Sequence, residues 1–140
     1  MKKIVLLLLM ASPLYYSCYG QSDPTMRDTL ENIWDKGKDA WTAWNTIDSI
    51  WMDSIYWPNL KTNKLKMTCA HCERISMHVD MKIDSTGKLE LYRVTRSSVC
   101  GRDIEKKMEE EWMQFFRDYE FPPALRNQAF HVLLGTGLKC

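Results

Sequence analysis

The chain has 140 residues, 26% of them charged, and a formal net charge of +1. If the leader containing Lys2 and Lys3 is removed, 17 basic residues face 18 acidic ones, a balance of −1. Neither balance supports nucleic acid or an anionic membrane surface as a partner. The 120 residues left after a 20-residue leader suit one domain with a modest core.

Met1-Lys2-Lys3 followed by an apolar run from Ile4 to about Leu14 reads as a signal peptide over residues 1–20. The run is too short to span a bilayer, which takes about 20 apolar residues, and Pro13 interrupts it. Cys18 and Gly20 put small residues at −3 and −1 of a cut before Gln21. The alternative is Leu14-Tyr15-Tyr16-Ser17-Cys18 as a loose lipobox, with lipidation of Cys18. Either route predicts export to the periplasm or cell envelope, the second with a lipid anchor.

Residues 21–60 read as an N-terminal amphipathic segment. Leu30, Ile33, Trp34, Trp41, Trp44, Ile47, Ile50, Trp51 and Ile55 recur at helical spacing, with Asp35, Lys38, Asn45 and Asp48 on the polar side. Gly37 is the point where this helix breaks or bends, and Trp57-Pro58-Asn59 is expected to end it. The stripe of Trp34, Trp41, Trp44 and Trp51 is expected to pack as core against a small sheet. A docking face or membrane anchor is the competing reading.

Residues 61–140 predict an α+β unit. Ile75, Met77, Val79, Met81 and Ile83 alternate with Ser76, His78, Asp80 and Lys82, a half-buried strand. Asp84-Ser85-Thr86-Gly87 turns the chain into a second strand marked by Leu89, Leu91 and Val94, completing a hairpin. A helix follows, with Asp103 as N-cap and Ile104, Met108, Trp112, Phe115 or Phe116 and Tyr119 on its apolar face. Phe121-Pro122-Pro123-Ala124 stops it, and Phe130-His131-Val132-Leu133-Leu134 is the last strand. The fold class is therefore α+β: a three-stranded antiparallel sheet covered by helices, plus a Trp-rich N-terminal helix. His78 and His131 fall within strands and receive no function.

From about Ile75 to Leu134, the hairpin turn, Val94-Thr95-Arg96-Ser97, the helix opening at Asp103-Ile104 and Tyr119-Glu120-Phe121-Pro122-Pro123-Ala124 follow one another in a particular order. That order resembles the TonB C-terminal domain family. The resemblance implies a three-stranded sheet whose last strand is an edge, with Phe130, His131, Val132, Leu133 and Leu134 pairing with a peptide segment of an outer-membrane receptor by β-augmentation. Energy-transducing members resemble a spring with a retained membrane helix and a Pro-rich spacer, and neither is read here. A freestanding envelope binding module is the implied function.

Cys69, Cys72, Cys100 and Cys140 remain after processing, an even number for an oxidising compartment. Antiparallel strands in the order two-one-three would bring all four to one end of the sheet, where Cys69 and Cys72 each take Cys100 or Cys140. Cys72–Cys100 with Cys69–Cys140 is the preferred pairing. Met67-Thr68-Cys69-Ala70-His71-Cys72 also resembles a heavy-metal-associated loop, so Cys69 and Cys72, with His71, form the alternative metal or redox site. No helix follows that loop, which weighs against metal transfer. No nucleophile–base pair, carboxylate pair or cofactor loop is present, so neither an enzyme nor a cofactor is expected. The competing readings are a disulfide-stapled structural or adaptor protein, with its edge covered by a homodimer, and a thiol-dependent carrier.

Overall fold

The alternation beginning at Ile75 builds β1 (Arg74–Ile83) in a computed structural model that describes residues 30–140. The leader, its cut and Cys18 lie outside these residues. Ile75, Met77, Val79, Met81 and Ile83 are all buried on one face. β2 (Leu89–Val99) and β3 (Ala129–Gly137) pair antiparallel with β1 on either side, giving the order β2-β1-β3.

The hairpin turn is organised by one carboxylate. Asp84 Oδ1 accepts from Thr86 N–H at 2.8 Å, Thr86 Oγ1 at 2.7 Å and Lys88 N–H at 2.9 Å. These bonds favour the charged form and lower its pKa, the Lys88 amide contributing most.

The apolar face is covered by helices, which makes the fold α+β. Gly37, with φ +101°, separates a 3-10 turn (Ile33–Lys36) from α1 (Lys38–Trp51). The helical path does not stop at Pro58. It widens into a π-turn over Met52–Tyr56, where Trp57 N–H donates to Met52 O, and continues as α2 (Trp57–Thr62). Pro58 stands at the start of α2, where a missing N–H is tolerated, and the wide turn gives its ring room. α3 (Lys106–Asp118) starts after Glu105 rather than at Asp103. Ile104 N–H is held by Ser97 Oγ at 3.0 Å, and Glu105 remains extended, so winding is delayed.

The tryptophan stripe divides. Trp44 and Trp51 are buried, whereas Trp34 is 53% and Trp41 38% exposed, the latter two paired edge-on at 6.3 Å. Trp51 is the centre of the core, with ring centroids 5.3 Å from Trp112, 5.4 Å from Tyr56 and 5.8 Å from Phe116. Trp34 lies before the Gly37 break, in the 3-10 turn, so the periodicity of α1 does not govern it.

Candidate functional site

One face of the sheet, uncovered by any helix among the described residues, carries the polar half of β1. Register sets its side chains in cross-strand rows: Ser98, Ser76 and Gly135; Arg96, His78 and Leu133; Arg93, Asp80 and His131. Because β1 is central, Ser76 and Asp80 are buried despite lying on this face.

Asp80 is the hub of the third row. Its Oδ2 accepts from Arg93 Nη2 at 2.7 Å, and its Oδ1 lies 2.8 Å from His131 Nδ1. His131 Nε2 is in turn 3.1 Å from His78 Nδ1, with the two rings stacked at 5.3 Å. Arg93, Asp80, His131 and His78 therefore form one continuous polar chain. Burial holds the His78 pKa below the ordinary value, reinforced by the positive fields of His131, Arg96 and Arg74. Sequence periodicity puts His78 and Asp80 on one face. Their convergence with His131 depends on the β1–β3 register, which no local pattern reveals.

Beside this chain lies an open hollow of about 520 Å³. It is lined by Arg74, Ser76 and His78 of β1, by Arg96 and Ser98 of β2, and by the loop before β1 that carries Cys69 and Glu73. The cysteines hold that loop in place. Cys69–Cys140 and Cys72–Cys100 are disulfides with Cα separations of 5.6 Å and 4.1 Å, tying the loop to the C-terminal tail and to the end of β2. The thiols of the Cys-x-x-Cys motif are thus bonded to different partners, and His71 is exposed. Among the described residues, no group of three or more His, Cys, Asp or Glu side chains is arranged to hold a metal ion.

No family model, curated protein or solved structure matches this chain.

The five residues of the expected edge site divide by side-chain direction. Phe130, Val132 and Leu134 are buried in the core, whereas His131 and Leu133 stand on the uncovered face, Leu133 42% exposed. The outer edge is closed at one point: Asn32 forms a parallel bridge with His131, and His131 N–H donates to Glu31 O at 2.9 Å. Strand pairing goes no further, because the chain enters the 3-10 turn at Ile33, which packs against β3. Backbone direction repeats every two residues along a strand, so Leu133 also faces outward. Among the described residues, no main-chain hydrogen bond reaches Leu133 or Gly135 from outside the sheet.

Proposed function

We propose that the protein is a non-enzymatic binding module of the cell envelope, similar to the TonB C-terminal domain, that adds an extended partner segment to the outer edge of β3. The carrying observation is the edge beyond His131, where Leu133 has no main-chain partner beyond the sheet among the described residues and its apolar side chain is exposed. β3 pairs with β1 without a register shift, whereas β2 has irregularities opposite His78/Val79 and Lys82/Ile83. Such irregularities twist an edge away from further pairing, so β3 is the better template. Two disulfides support an exported, oxidising setting for the module. Among the described residues, no helix is long and apolar enough to cross a membrane.

The test places a photo-crosslinking residue at Leu133 or at Glu90 on β2 in cells exporting the protein. The reading expects a discrete envelope-protein adduct from position 133 and none from position 90. Equal labelling at both positions would remove the proposal. So would a stable homodimer, detected by sedimentation in solution and crosslinked through position 133, because its edge would already be occupied.

A further inference from the structure

The second and third rows of the uncovered face differ in charge balance. In the third row Asp80 stands between Arg93 and His131 within hydrogen-bond distance of both, and its charge offsets that of Arg93. In the second, Arg96 lies directly opposite His78, with no acid in the row, and Arg74 stands on the same face of β1 at its start. Basic groups opposite one another across strands cost stability unless something neutralises them. Neither the Arg74 nor the Arg96 guanidinium has a side-chain hydrogen bond or ion pair among the described residues. Glu73, the one carboxylate among the described residues that line the hollow, pairs with neither.

We propose that the hollow binds a small oxyanion, a carboxylate or phosphate group, clamped by the guanidinium groups of Arg74 and Arg96 and by the imidazole of His78. Arg suits this role because its planar fork of donors matches carboxylate and phosphate oxygens. The volume, about 520 Å³, is in the range that holds a small organic ligand. This site is separate from the β3 edge and does not depend on the peptide-binding reading.

The histidine chain makes the site proton-sensitive. Asp80 Oδ1 is an acceptor, so His131 holds a hydrogen at Nδ1. With both rings neutral, His131 Nε2 accepts from His78 Nδ1–H, and His78 Nε2 is left as an acceptor, which suits no anion. A proton gained at Nε2 turns His78 into a donor toward the hollow while Nδ1–H keeps its bond to His131. A bound anion favours this form against the burial and cationic fields that hold the His78 pKa low, so anion binding draws a proton onto His78. The groups facing the switch are His131 on β3, Arg93 and Arg96 on β2, Asp80 and Arg74 on β1, and His71 and Glu73 on the disulfide loop.

The test titrates the oxidised protein with inorganic phosphate, citrate and glycerol, followed by amide and imidazole NMR shifts. Saturable binding of phosphate or citrate is expected, with glycerol silent, and the stronger anion identifies the source. Arg74→Gln and Arg96→Gln are each expected to weaken it about tenfold or more, whereas Arg117→Gln on α3 leaves it unchanged. Affinity should rise as pH falls through the histidine range, and His78→Gln should flatten that dependence. Near-UV circular dichroism verifies that each variant is folded. The proposal is overturned if neither anion saturates, if glycerol binds equally, or if folded Arg96→Gln binds like the parent.

Discussion

The hydroxyl of Tyr56 donates to the carbonyl oxygen of Ile75 at 2.8 Å from within the π-turn. The hydroxyl oxygen in turn accepts from Thr136 N–H at 3.3 Å, so one side chain bridges β1 and β3 where the register sets Ile75 opposite Thr136. Gly135, with φ +89°, has no room there for a Cβ, which would be driven into the Ile75 carbonyl and the Tyr56 ring. Burial pushes the Tyr56 pKa up to about 12, so the hydroxyl remains a donor throughout the physiological range.

Tyr56→Phe keeps the ring and its contacts with Trp51 and Trp112 but strands a buried carbonyl and amide. The expected loss is about 1–3 kcal/mol of stability, read from urea unfolding midpoints at constant slope. A change below about 0.5 kcal/mol would show that the bridge contributes little.

Period-two alternation is enough to place β1, because its apolar residues meet the helices and its polar residues do not. The hairpin turn is equally legible, since Asp84 and Gly87 supply local chemistry that needs no tertiary partner. Pro58 misleads for the opposite reason. A proline reads as a helix stop, but a π-turn set by the packing of Tyr56 lets the chain carry on. The tryptophans are half legible: Trp44 and Trp51 follow the period of α1, while Trp34 belongs to a separate turn across Gly37. The uncovered face is hardest. Asp80, His131 and His78 are up to 53 positions apart, and only the alignment of strands joins them.

The two disulfides close chain separations of 71 and 28 residues. Chain-entropy reasoning gives about 2–4 kcal/mol for each, with the longer loop contributing slightly more. Cys69→Ser with Cys140→Ser should therefore lower the melting temperature without abolishing the fold. Cys72→Ser with Cys100→Ser should cost more than loop length alone implies, because Cys72 is also buried. Mass spectrometry after alkylation should find none of these four cysteines free until a reductant is added. A melting temperature unchanged on complete reduction would contradict the account.

Asp48 lies on α1 with Oδ1 buried and without a hydrogen-bond partner among the described residues. Helical spacing alone puts it on the polar side; in the structure, burial pushes its pKa from 3.8 up to about 6. The folded state thus resists ionisation. Its contribution is fully favourable below the unfolded value of 3.8 and is lost as pH rises through about 6. Asp48→Asn removes the buried charge at neutral pH. After allowance for partial exposure, it should stabilise the protein by about 1–2 kcal/mol near pH 7, the advantage shrinking toward zero near pH 4. Urea unfolding of both proteins at the two pH values decides the matter, and a pH-independent difference would mean that Asp48 keeps an ordinary carboxylate pKa in the folded state.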